Sequence, residues 1–452
     1  MNPKISSLDP RLITALLPPD CRTVYVAYSG GVDSHVLLHL AAVGAGLQER
    51  IVAVYVNHGL QASADAWGEH CRRQCLELRV AFQIVKVDAV ARNGEGPEAA
   101  AREARYRALR PLLEEGDVLL LAQHREDQAE TLLLQLFRGA GVAGLAGMPV
   151  DAAFGRGRML RPFLDKSKKD ICDYARANHL QWVDDPSNQS SDFDRNFLRN
   201  QILPLLKQRW PALDKTVARS AAHCGEASRM LEDWVGPVLA EMLDPESKSI
   251  CLAGLSRLSD SQRRFVLRKW LTSFGLKPPS AAVIDALTAQ ATNRQGKTSA
   301  PQLQIQGYHV LGYRQKLFCI PAVALDKFAG NLLWPKPDTR LDLGNGYGLV
   351  RAEACSGIAK AHWDGAEVSV KARVGGEKLK LSGRAGHHCL KKLYQEAAIP
   401  PWERDQRPLL YMDGRLAAVA GLWVAEWAWA SGEAACYRVD WKASRWLDDS
   451  VF

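Results

Sequence analysis

The sequence predicts an α/β chain: a Rossmann-like parallel-sheet domain, then a mostly helical domain, then a smaller α+β domain at the C-terminal end. Three observations carry this. Over roughly the first 140 residues, strand-like and helix-like patterns alternate. From Pro211 to about Gln290 the apolar spacing is helical. Beyond residue 325 short strand patterns mix with one helix, and eight of the 13 tryptophans gather there. The expected domains are 1–210, 211–324 and 325–452.

The elements follow in order. Thr23–Tyr28 is β-branched and aromatic, which suits a buried strand. Ser34–Ala45 is helical, and Ile51–Asn57 (IVAVYVN) is a second strand. Ala64–Arg79 places Trp67, Cys71, Cys75 and Leu78 at helical spacing. Phe82–Val87 is a third strand, and Pro97 opens a helix to about Glu115. Val118–Ala122 is a fourth strand, followed by a helix over Glu126–Phe137. Such alternation builds a parallel sheet with helices on both faces and ligands at the carboxyl ends of its strands. Asp170–Asn178 is helical, and 182–190 is loop. Gln302–Ile320 has the pattern of a hairpin, 325–347 that of a linker, and Leu390–Ala398 that of a helix.

Of the 452 residues, 47% are hydrophobic and 24% charged, so disorder and fibrous repeats are excluded as global descriptions. Ten cysteines include no CxxC, which removes zinc-ribbon and thioredoxin-like signatures. No apolar h-region opens the chain, and the longest apolar runs fall short of the ~20 residues of a membrane span. A cytoplasmic protein with reduced thiols and no membrane partner is expected. Lys and Arg number 58 against 50 Asp and Glu, a net charge of +8. The excess is concentrated in 194–215 (+3), 257–270 (+4) and 371–415 (+5), which suits a polyanionic partner.

Ser29-Gly30-Gly31-Val32-Asp33-Ser34 follows the first strand and opens a helix. Glycines let the backbone turn toward a phosphate, and helix N–H groups then face the anion. Ser29 and Ser34 add hydroxyls, and Asp33 is a candidate for Mg²⁺ or for activation. Two look-alikes fail their context. Gly296-Lys297-Thr298 has Ala291 where a Walker A loop needs glycine, and Gly139-Ala140-Gly141-Val142-Ala143-Gly144 follows a helix rather than a strand.

At the end of the fourth strand, His124, Asp127 and Glu130 recur at three-residue spacing, with both carboxylates on one helical face. Helix capping is the alternative role for those acids.

SGGVDS at 29–34 resembles the PP-loop of ATP pyrophosphatases. With VNHGL (56–60), AAREARYRAL (100–109), AQHREDQAETLLLQLFRG (122–139), DPSN (185–188), RNFLRNQILPLL (195–206) and the stretch 373–410, the chain resembles the tRNA(Ile)-lysidine synthetase family over about 20–440. The family usually has two aspartates after the histidine; here Glu126 precedes Asp127, and no role is assigned to Glu126.

The resemblance implies a ligase that joins free L-lysine to C2 of the wobble cytidine of a CAU-anticodon tRNA(Ile), through an adenylated intermediate. ATP and Mg²⁺ would serve as co-substrate and cofactor. It implies ATP at Ser29–Ser34, with Asp33 in a metal or activation role. Asp127 and Glu130 would position and deprotonate the lysine amine. His58 and Arg138 are nucleotide-side candidates, each with a structural role as its alternative. Arg105, His124, Arg195, Arg199, Lys391, Lys392 and Arg404 are candidates for contact with the tRNA or other substrates. Tyr394 and Trp402 could stack on bases or pack in a core. A homodimer stays open. Competing expectations are tRNA thiolation, a glutamine-fed ligase and a non-catalytic RNA-binding protein on the same fold.

Overall fold

The computed structural model describes residues 8–59, 64–87, 97–186, 190, 193–292, 302–325, 328, 330–344 and 346–443. The Gly296-Lys297-Thr298 look-alike lies outside these residues, as do Leu60 of VNHGL and Ser187 and Asn188 of DPSN. The chain divides into two compact units, 1–232 and 233–452.

In the first unit α1 (Arg11–Thr14) is followed by β1 (Val24–Ala27), α2 (Val32–His39), β2 (Ile51–Asn57), α3 (Ala64–Glu77), β3 (Ala81–Lys86), α4 (Pro97–Leu109), β4 (Val118–Leu120) and α5 (Arg125–Phe137). Next come α6 (Val142–Leu145), the hairpin β5 (Asp151–Phe154) and β6 (Gly157–Leu160), α7 (Lys168–Ala177), α8 (Asp194–Phe197), α9 (Leu203–Arg209) and α10 (Leu213–Met242).

The sheet has the order β3-β2-β1-β4-β6-β5. All neighbours are parallel except the β5–β6 edge pair. The β-branched run of β2 suits burial from both sides, and both faces are indeed covered. On one face Val24, Val26, Ile51 and Ala53 pack with Cys71 and Cys75 of α3 and Ile171 and Tyr174 of α7. On the other, Val54, Leu119 and Leu121 pack with Leu109 of α4, Leu113, Phe154 and Met159.

The second unit takes in the end of α10, then β7 (Ile250–Cys251), α11 (Leu252–Ser256), α12 (Asp260–Thr272), α13 (Ala281–Thr292), β8 (Gln302–Ile305), β9 (Tyr308–Tyr313) and β10 (Lys316–Pro321). Trp270, fully buried, centres the core of this part. The stretch expected as a single hairpin is a three-strand meander, extended by β7 to the order β7-β10-β9-β8.

The stretch expected as a linker is likewise folded in. It contains β11 (Asn331–Leu333) and β12 (Arg340–Asp342), and its Trp334 packs edge-on against Trp363 at 5.2 Å. The rest comprises β13 (Tyr347–Ala359), α14 (Lys360–Gly365), β14 (Val368–Lys371), β15 (Lys378–Leu379), β16 (His388–Cys389), α15 (Leu390–Glu396), α16 (Pro401–Arg404), β17 (Leu409–Met412), β18 (Arg415–Val419), β19 (Trp423–Val424) and β20 (Trp429–Ala443). β11-β14-β17-β18-β19 and β12-β13-β20 form its two larger sheets.

Candidate active site

The sheet order decides where a ligand sits. After β1 the chain moves to β2 on one side, and later it returns to β4 on the other. The two departures leave a crevice at the carboxyl ends of β1 and β4, the usual ligand position in open α/β sheets. A cleft of about 330 Å³ opens there. Ser29, Gly31, Asp33, Ser34, His58, Arg105 and Asp127 all line it.

The loop from β1 to α2 is held by its own hydroxyls. Ser34 Oγ donates to Gly31 O (3.0 Å) and accepts from Ser29 N (3.2 Å), and the two hydroxyls lie 3.1 Å apart. Gly30 has φ +81°, and a Cβ there would sit 3.0 Å from Cys71 Sγ, so both conformation and space require glycine. Val183 N donates to Gly30 O (2.9 Å), tying the loop to the segment after α7. Lys168 Nζ, at the start of α7, donates to both Asp33 oxygens, at 2.6 and 2.7 Å.

A second cluster stands at the start of α5. The buried His124 ring lies 3.1 Å from Glu126 Oε2 through Nδ1, and 3.5 and 3.9 Å from Asp127 and Asp33 through Nε2. Burial would lower its pKa, but the Glu126 hydrogen bond and the Asp127 and Asp33 charges outweigh that and raise it. Glu126 also accepts from Lys168 N (3.0 Å). Although burial pushes its carboxyl up, the bond and charge of His124 hold it down at about 2. Asp127 Oδ2 accepts from His124 N at 3.0 Å, capping the helix.

Arg199 joins the two acids that the sequence pairs. Its Nε donates to Glu130 Oε1 (2.7 Å), and its Nη2 to Glu130 Oε2 (2.8 Å) and Asp127 Oδ1 (2.9 Å). Glu130 is 1% exposed, and burial lifts its pKa despite Arg199. For Asp127 burial is overcome by His124 and then Arg199, and its pKa falls. Arg195 Nη2 donates to Thr131 Oγ1 (2.9 Å), and its Nε lies 3.6 Å from Glu130.

The other expected residues fall into three groups. His58 and Arg105 face each other in the cleft at 3.4 Å, and burial, then the Arg105 charge, lowers the His58 pKa to about 4. Arg138 is exposed and caps the far end of α5, ~16 Å along the helix axis from Asp127, so it does not line the cleft. Lys391 and Lys392 are exposed on α15, whereas Arg404 donates to Ile399 O (2.8 Å) and Tyr313 Oη (3.0 Å). Two further candidates are buried. His124 faces carboxylates rather than solvent, and Tyr394 is fully buried and unavailable for stacking. Trp402 packs edge-on against Tyr313 and Phe318.

Residues 7–206 match a PP-loop domain, 250–318 a TilS substrate binding domain and 368–441 a TilS substrate C-terminal domain. The chain is 40% identical to a tRNA(Ile)-lysidine synthase of Methylococcus capsulatus, over 89% of this chain and 92% of that one. Identity is 41% with the synthase of Pseudomonas syringae pv. tomato, over 93% of both chains. The chain belongs to the tRNA(Ile)-lysidine synthase family. It is an ATP-using ligase of tRNA modification.

Two residues of the cleft region carry no role from the sequence alone. Lys168 follows Ser167, whose hydroxyl accepts from Asp170 N in a capping box, so the helix start was legible although its reach to Asp33 was not. Glu126 departs from the family pattern, yet it ties α5 to α7 and orients His124. Among the described residues no group of three His, Cys, Asp or Glu side chains is arranged to hold a metal ion. A single carboxylate, Asp33, stands on the phosphate loop, the kind of ligand magnesium takes when phosphates and water complete its shell.

Proposed function

We propose that this chain joins L-lysine to C2 of the wobble cytidine of CAU-anticodon tRNA(Ile), releasing AMP and pyrophosphate. The observation that carries the reading is the His124 ring, set between Asp33 of the phosphate loop and Asp127 of the acid pair. The groups suited to the two half-reactions thus share one sheet edge.

The Ser29–Ser34 loop and the start of α2 would cradle the ATP phosphates. Magnesium, bound through Asp33, would supply charge neutralisation for the departing pyrophosphate. The cytosine C2 oxygen attacks the α-phosphorus, and pyrophosphate leaves. Lysine's amine then attacks C2, the C2–O bond breaks and AMP departs. Asp127 and Glu130, which already hold the Arg199 guanidinium, have the charge to hold lysine's ammonium. Asp127, with its lowered pKa, is the stronger ionic anchor. Glu130, with its raised pKa, is the better proton acceptor. Every group in this scheme comes from one chain, so a homodimer is not required for the chemistry.

We assign 1–210 to ATP and lysine chemistry, and 211–324 and 325–452 to holding the tRNA. The matched substrate-binding segments at 250–318 and 368–441 fall within the latter two. Ten free cysteines fit a cytoplasmic setting. Among the described residues no helix is long and apolar enough to cross a membrane.

The test is mass spectrometry of a CAU-anticodon tRNA(Ile) transcript after incubation with enzyme, ATP and lysine. A mass increase of one lysyl group on the wobble cytidine is expected, and it should vanish when ATP or lysine is omitted. An unmodified transcript would overturn the reading.

A further inference from the structure

Gln123 sits between the two clusters and has no role so far. It lies three residues past the end of β4 and lines the cleft. Ser29, Gly31, Asp33 and Ser34 of the phosphate loop line the same cleft. Its neighbour is Arg161, just past β6, only 4% exposed and without a carboxylate partner among the described residues. Arg161 Nε donates to Gln123 Oε1, and its Nη1 donates to Pro149 O (2.7 Å).

That pairing fixes the polarity of the amide. Arginine has donors and no acceptor, so the atom facing it must be the glutamine oxygen. The NH₂ end is therefore the free end, and no group among the described residues accepts from it. A donor with fixed direction is thus presented beside the phosphate loop, in a cleft also lined by Arg102 and Arg105. Such a site suits an anionic oxygen.

Resting on the function proposed above, we propose that Gln123 donates a hydrogen bond to a non-bridging oxygen of the α-phosphoryl group, with Arg161 as its positioning residue. During adenylation the bond from the cytosine C2 oxygen to phosphorus forms as the bond to pyrophosphate breaks. Negative charge on the non-bridging oxygens is then stabilised by the amide, and Gln123 transfers no proton. The same contact persists on the AMP leaving group when lysine attacks.

The experiment compares wild type, Gln123→Leu, Arg161→Met and Arg161→Lys in tRNA-dependent pyrophosphate release. Gln123→Leu should lower kcat about 100-fold, with KM for ATP and lysine within about threefold. Arg161→Met should lose part of the rate, and Arg161→Lys should recover some of it. The deciding readout uses the two diastereomers of ATP carrying sulfur on the α-phosphorus. Sulfur accepts hydrogen bonds weakly, so one diastereomer should react slowly with wild type, and Gln123→Leu should erase that rate ratio. The ratio does not depend on how much of a variant is folded. An unchanged ratio for both diastereomers overturns the proposal. So does normal pyrophosphate release with a raised KM for lysine, which would assign Gln123 to the lysine carboxylate. A wild-type enzyme that forms no lysidine overturns the underlying function instead, and this inference with it.

Discussion

Charges at the sheet edge of the N-terminal unit and charges in the 371–415 segment of the C-terminal unit are used differently. At the sheet edge, cations reach acids far away in sequence: Lys168 spans 135 residues to Asp33, and Arg199 spans 72 to Asp127. In the 371–415 segment the pairs hold neighbouring elements together, as in Arg384–Glu396 and Arg373–Asp405, or cations lie over rings, as Arg407 does over Trp441 at 4.6 Å. Only some cations there are left outward. Lys378, Lys391 and Lys392 are exposed and carry no ion pair among the described residues. The contrast teaches that a net charge counted along a segment overstates what a polyanion can meet. Of the five basic residues in 194–215, Arg195 and Arg199 face the acid pair and Lys207 bridges Asp214 at 2.7 Å.

If the sheet edge is chemical and the outward lysines are electrostatic, substitutions should separate them sharply. The largest effect is expected for Asp33→Ala. Pyrophosphate release should fall about a thousandfold. Stability should change by less than ~1 kcal/mol, because the Lys168 left behind is 40% exposed. Stopped-flow release assays and urea melts check both halves; a large stability loss would make Asp33 structural. Asp127→Asn should act on the second step alone. Lysine transfer to adenylated tRNA should drop about 100-fold or more, while pyrophosphate release stays within tenfold. Quench-flow of the two half-reactions separates them, and equal losses would undo the division of labour.

The next effects are on stability. Arg199→Ala leaves Glu130 buried without its guanidinium, at a cost of about 3 kcal/mol in a denaturant melt at neutral pH. Burial raises the pKa of Glu130, so the folded state holds its proton more tightly than the unfolded one. The cost should therefore shrink as pH falls toward 4.5. Glu126 has the opposite sign, with its folded pKa held at about 2 against 4.5. Its ionised form should favour folding above pH 4.5 by on the order of 2–3 kcal/mol, and that advantage should be lost as pH falls through about 2. The difference in melting between wild type and Glu126→Gln, followed from pH 7 to pH 2, should close in that window.

Much of the sheet edge was legible because its signals are local. A strand ending in Ser-Gly-Gly and an acid-rich helix start each state their place in an α/β fold, and β2, α3, β3 and α5 lie within a residue or two of their expected bounds. What was not legible depends on partners distant in sequence. Arg199 reads from the sequence only as a candidate RNA or substrate contact, because nothing near it reveals Glu130, 69 residues away. The meander at 302–321 has the sequence pattern of one hairpin because its second turn, Arg314-Gln315, has φ of +41° and +63° without a glycine or asparagine to announce it. Residues 325–347 have the pattern of a linker because prolines and glycines there flank strands of only three residues, which carry no period of their own.

The smallest effect is the most direct test of the outward lysines. Lys391 and Lys392 lie in the first turn of α15, whose Leu390, Leu393 and Tyr394 are buried while both lysines stay exposed. The helix thus has a fixed inner face, and replacing both lysines by alanine should leave the melt unchanged. If each meets one tRNA phosphate, the double variant should bind tRNA several-fold more weakly near physiological salt. The slope of log affinity against log salt should flatten by about 1.4–1.8, the counterions released at two phosphates. ATP affinity should not move. Arg404→Ala is the internal contrast, because its guanidinium is already used on Ile399 O and Tyr313 Oη. It should lower stability and leave the salt slope alone. A flattened slope for Arg404→Ala with an unchanged slope for the lysine pair would reverse which cations of this segment face the RNA.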